Sequence, residues 1–135
     1  MNLSIVNPTS LGAPKGYSNG VRVNGECDLL FVAGQVGWDE SQEVVSDRFS
    51  EQFRQALSNI VTTITAAGGR PDNLVRMTLY VTDKQEYIEQ QREVGEAYRA
   101  LVGRHFPAMT LVEVKSLLEP GAKVELEATA ALERK

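Results

Sequence analysis

Glu125 and Glu127, two residues apart, are the side chains in this sequence whose type and spacing best suit chemistry. They alternate with Val124, Leu126, Ala128 and Ala130. A strand with that period carries its apolar set on one face and its carboxylates, with Thr129, on the other. A carboxylate set among hydrophobic neighbours can orient a water molecule and take its proton, because desolvation raises the pKa of such groups towards neutrality. Glu125 is the candidate for that role. The plainer reading makes it a cross-strand partner of a nearby Lys or Arg. Glu127 reads as structural.

The segment before it, Pro107 to Lys115, is a second strand in which Met109 and Leu111 alternate with Thr110, Val112 and Val114, so both faces carry apolar residues. Pro120-Gly121 marks a turn between the two. Upstream, Leu3 to Val6 and Val21 to Asn24 read as strands, and Asn24-Gly25 is a hairpin signal. Leu29 to Val36 is a nearly continuous apolar run, which predicts a strand buried on both faces. Gly34 and Gln35 interrupt it near its end, where a glycine marks close approach of a ligand or another backbone. Trp38 follows at its mouth. Tyr17 lies in the loop Gly16-Tyr17-Ser18-Asn19-Gly20.

Ser46 or Asp47 is the expected cap of a helix reaching about Ala67, with Phe49, Phe53, Leu57, Ile60 and Ile64 on its apolar face. Leu74 to Val81 is a further strand. Asp83 caps a second helix, with Glu86 completing a capping box, and Tyr87, Gln91, Val94, Tyr98, Leu101 and Val102 along one side. His105, the only histidine, has no visible acid, thiol or second histidine partner and reads as structural or solvated. The order is strands, helix, strand, helix, two strands: an α+β fold with two helices on one face of a mixed sheet. The other face, carrying Phe31, Ala33, Met109 and Leu111 if alternation holds, predicts a homo-oligomer.

The 135 residues fit one domain spanning 1–135. A net charge of −4 with no basic block argues against nucleic acid as partner. Cys27 is the only cysteine, so no internal disulfide forms and no thiolate metal site is indicated. No cofactor motif is present. The N-terminus is not a signal peptide and no apolar run is long enough to span a bilayer, so the expected location is cytoplasmic.

In its GYSNG loop, the run Leu30-Phe31-Val32-Ala33-Gly34-Gln35-Val36, the helix from Gln52 to Gly68, Tyr80-Val81-Thr82-Asp83, Phe106-Pro107-Ala108 and Val124-Glu125-Leu126-Glu127-Ala128, the sequence resembles the Rid (YjgF) family of reactive-intermediate deaminases. The resemblance covers nearly the whole chain. It implies a chorismate-mutase-like fold, a homotrimer with a pocket at each subunit interface, and hydrolysis of imines or enamines to a carbonyl compound and ammonia. It implies that Glu125 positions the attacking water, that Tyr17 enters the pocket across an interface, and that Gly34 and Gln35 line it. Gln91 falls near a helix position that is commonly Asn. After Pro107-Ala108 the family archetype has an arginine that holds the substrate carboxylate. Met109 stands here, and Leu111 replaces a frequent cysteine. A thioether cannot give an arginine's bidentate grip, and losing it weakens binding about ten- to a hundredfold.

The expectation is therefore a deaminase of altered, more apolar or larger specificity, one variant being 2-aminomuconate-deaminase-like, with Met109, Leu111 and Trp38 setting pocket size. The alternative is a non-catalytic trimer that binds a small metabolite. A ribonuclease or chaperone is weakly supported, since the acidic chain has neither a basic patch nor a histidine pair.

Overall fold

The run from Phe49 to Ala66 forms α1, and every member of its expected apolar stripe is buried. Phe49, Phe53, Leu57, Ile60 and Ile64 lie at 0–1% exposure, and complete burial of such side chains contributes about 1.5–3 kcal/mol each. The computed structural model describes residues 1–135. Before α1 come β1 (Asn2–Val6), β2 (Gly20–Asn24) and β3 (Asp28–Val36). After it come β4 (Leu74–Val81), α2 (Lys84–Glu89), α3 (Gln91–Leu101), β5 (Ala108–Glu113) and β6 (Val124–Leu132).

The fold is α+β. A four-stranded mixed sheet runs in the order β3-β6-β4-β5, with β4 and β5 parallel and β6 antiparallel to both neighbours. The helices cover one face, where Val124, Leu126, Ala128 and Ala130 of β6 meet Met77, Leu79 and Val81 of β4 and the stripe of α1. β1 and β2 form a separate antiparallel pair. No helix is long and apolar enough to cross a membrane.

Six expectations need correction. The Asn24-Gly25 signal does not join β2 to β3; β2 pairs back onto β1, and Gly25 only turns the chain, at φ +90°. β3 is not buried on both faces, since Leu29 and Phe31 are 56% and 74% exposed. The helices cover only one side of the sheet. Met109 and Leu111 do not share that open side. Parallel pairing sets them beside Met77 and Leu79, facing the helices.

The other three concern helix ends. α1 begins at Phe49, and Ser46 Oγ accepts only the Arg48 N–H of the preceding turn. The cap comes from elsewhere in the chain: Gln90 Oε1 accepts the Ser50 N–H at 2.8 Å. The second helix is broken into α2 and α3 at that same Gln90, whose φ of −109° and ψ of 21° leave the helical region. Its predicted Asp83 cap holds, with Oδ1 accepting the Gln85 N–H at 2.9 Å, but Glu86 closes no capping box and pairs with Lys123 Nζ at 3.0 Å instead.

Candidate functional site

β6 runs down the middle of the sheet, so the side chains on its uncovered face stand between two neighbouring strands. Glu125 is one of them. It lies opposite Val36 of β3 and Tyr80 of β4, and it is half-buried. β3 changes register between Val32 and Gln35, and Gly34 sits inside that bulge. A Cβ on Gly34 would lie 2.5 Å from Glu125 Oε2 and 2.9 Å from its Cδ. The carboxylate therefore rests on bare backbone, where no other residue type leaves room. None of the chain's ion pairs includes Glu125, so the plainer cross-strand ion pair does not form. Two residues on, Glu127 Oε1 accepts the Tyr80 hydroxyl at 2.6 Å. That bond, some desolvation and the charges of Glu127 and Glu125 raise the Tyr80 pKa above its ordinary value.

Two amides that the sequence reading passed over hold this strand region in place. Gln52, buried on α1, donates to the Ser46 and Gly121 carbonyls at 2.8 and 3.0 Å and accepts the Lys123 N–H at 2.8 Å. It thereby fixes the start of β6 two residues before Glu125. Its position between Phe49 and Phe53 on the apolar stripe was the available signal, because a polar side chain there must find internal partners. Asn59 donates to the Val36 and Trp38 carbonyls at 3.3 and 3.0 Å and so anchors the end of β3.

A second group of the expected residues gathers on the helix side. Met109 and Gln91 line a cavity of about 350 Å³ together with Phe53, Tyr87, Phe106 and Arg99, among others. Gly16 belongs to the same lining, and Tyr17 beside it is 41% exposed. Ser18 pins this loop to the entry of β5: its N–H donates to the Pro107 carbonyl at 3.0 Å and its hydroxyl to the Phe106 carbonyl at 2.5 Å. Tyr98 on the cavity wall donates to the His105 carbonyl at 2.5 Å and stacks on Phe106. Burial pushes the Tyr98 phenol far up. His105 is structural, as expected, with Nε2 2.6 Å from the Leu74 carbonyl. A carbonyl only accepts, so Nε2 carries the proton.

Gln35 and Trp38 fall in a third place, an open polar cleft of about 540 Å³ between the end of β3 and α1. Leu111 packs on the core beside Leu79 and lines none of these spaces. Within one chain, then, Glu125 and Gly34 meet on the open face, while Met109 and Gln91 meet on the opposite side of the sheet.

The Endoribonuclease L-PSP family model matches residues 8–132. A RutC family protein of Aquifex aeolicus is 35% identical over 114 residues, covering 84% of this chain and 86% of that protein. A human protein named 2-iminobutanoate/2-iminopropanoate deaminase is 32% identical over 120 residues, covering 88% of this chain and 82% of its own length. A Yersinia pestis member of the conserved Rid protein family, described as of unknown function, superposes with a TM-score of 0.84 at 28% identity, over 98% of this chain and 100% of the other.

Proposed function

Because the chain belongs to the Endoribonuclease L-PSP family, the Rid (YjgF) family, we propose that it is a hydrolytic deaminase of imines or enamines. The observation that carries this reading is the Glu125 carboxylate, free of any ion pair and laid on the bare backbone of Gly34 beside an apolar strand. The human and Salmonella relatives named as 2-iminobutanoate/2-iminopropanoate deaminases support the reaction class.

The chemistry asks little of the protein. In a protonated imine the carbon is already electrophilic. Glu125 accepts one proton of a water molecule as its oxygen bonds to that carbon. The proton passes to nitrogen, the carbon–nitrogen bond of the carbinolamine breaks, and the second water proton is lost as the carbonyl forms. The products are a carbonyl compound and ammonium. The mostly apolar wall around Met109 favours substrates larger or less polar than 2-iminopropanoate.

The site requires a neighbouring copy. Glu125 and the Met109 cavity face opposite sides of the sheet, so a homotrimer that sets the open face of one copy against the Tyr17 loop and cavity of the next would join them. Exposed Leu29, Phe31 and Val112 favour such a contact. So does the accessible area, 7990 Å², against about 7000 Å² for a monomer of this mass.

The test is ammonia release from imines generated in place by an amino-acid oxidase, with the oligomer followed by light scattering. Glu125→Ala is expected to lower turnover about 10²–10⁴-fold with the trimer intact. Unchanged turnover, or a monomeric wild type, refutes the reading. The thioether of Met109, in place of a guanidinium, favours a second reading, a metabolite-binding trimer. Saturable binding with no ammonia from a panel of imines would select it.

A further inference from the structure

Met109 leaves the cavity without a cation on β5, but a cation reaches it from the opposite wall. α3 presents Gln91, Gly95 and Arg99, spaced four residues apart, along one side, and all three line the cavity. Arg99 is the only charged residue in that lining. It takes part in none of the chain's ion pairs. Its guanidinium folds back over Gly95: a Cβ on that glycine would lie 3.3 Å from Nη1 and 3.9 Å from Cζ and Nη2. The missing side chain at Gly95 opens the space in which the fork lies.

We propose that Arg99 is the anion anchor of this cavity, and that the ligand is an apolar molecule ending in one carboxylate. The planar fork suits a carboxylate held through two hydrogen bonds. A single cation matches a single negative charge, whereas a phosphate ester would call for more. The remaining wall, with Phe53, Tyr87, Phe106 and Met109, takes an aromatic or branched aliphatic body. Arg99 thus determines specificity from α3 where the resemblance leads one to expect an arginine on β5. The inference rests on the deaminase reading only in taking this cavity as the substrate's.

Binding can be measured without turnover. Titration calorimetry with phenylpyruvate and with phenylacetone, its counterpart lacking the carboxylate, is expected to show wild type preferring phenylpyruvate. Arg99→Ala is expected to weaken phenylpyruvate about ten- to a hundredfold and to remove the preference, while Arg99→Lys keeps part of it. Added salt should weaken wild type more than Arg99→Ala. Equal phenylpyruvate affinity in wild type and Arg99→Ala, or no phenylpyruvate binding by wild type, overturns the proposal. Loss of ammonia release in every assay would instead refute the deaminase reading and leave this binding result standing.

Discussion

The carboxylate of Glu125 lies where a side chain on Gly34 would have to be: the ideal Cβ falls 2.5 Å from Oε2. The two residues sit on adjacent strands, and the bulge in β3 brings them together. Gly34→Ala is therefore expected to displace the acid and little else, because the colliding atoms are the far end of a flexible side chain. A displacement of about 1 Å can cost a hundredfold in rate. Turnover should fall about ten- to a hundredfold, while the melting temperature changes by less than about 4 °C. Full activity in Gly34→Ala would mean that the position of Glu125 is not critical.

Gln52 binds the start of β6 through three hydrogen bonds. Gln52→Leu takes the buried amide partner from the Ser46 and Gly121 carbonyls and the Lys123 N–H, and each such part-buried group left unpaired costs about 1 kcal/mol or more. Denaturant titration is expected to show a loss of about 3 kcal/mol or more. Gln52→Glu should fare no better, since a carboxylate cannot donate to the Ser46 and Gly121 carbonyls.

Gly95 separates stability from ligand binding. It lies within α3, where glycine is less favourable than alanine by about 0.5–1 kcal/mol. Gly95→Ala should raise the melting temperature by about 2–4 °C. The added methyl group also crowds Arg99 Nη1, so phenylpyruvate affinity should fall several-fold in the same protein. A variant that is more stable and binds equally well would show that the guanidinium needs no room there.

Tyr98 ties stability to alkaline pH. Burial raises its pKa above the ordinary 10.0. Below pH about 10 both folded and unfolded chains keep the phenolic proton, and the group adds no pH dependence. Above it the unfolded chain loses the proton while the folded chain retains it, so unfolding becomes more favourable as pH rises. Tyr98→Phe gives up the bond to the His105 carbonyl, about 1 kcal/mol, and should flatten the fall in stability between pH 10 and 12. An unchanged slope would place the alkaline transition on other groups, Tyr80 among them.

Much of the architecture was legible because it follows from local periodicity. The apolar stripe and the end of α1, the bounds of β4, the alternation along β6 and the Asp83 cap depend on residues within a few positions of one another. The facing of β5 did not follow in the same way. Met109 and Leu111 on one side, and Val112 on the other, leave no apolar contrast for alternation to report. The parallel register with β4, from Met77 against Met109 to Leu79 against Leu111, decided it.

From the sequence alone came the strand and helix periods, the candidate acid at Glu125 and Gly34 as a mark of close approach; that the approach is made by Glu125 came from the structure. The tertiary structure decided which strands pair, which face each residue occupies, and that Glu125 and Met109 lie on opposite sides of one sheet. It also turned an exposed arginine on an amphipathic helix into the one charge of a cavity. The reason is physical: secondary structure is set by neighbours along the chain, whereas a site is set by contacts between distant segments, which no local pattern encodes.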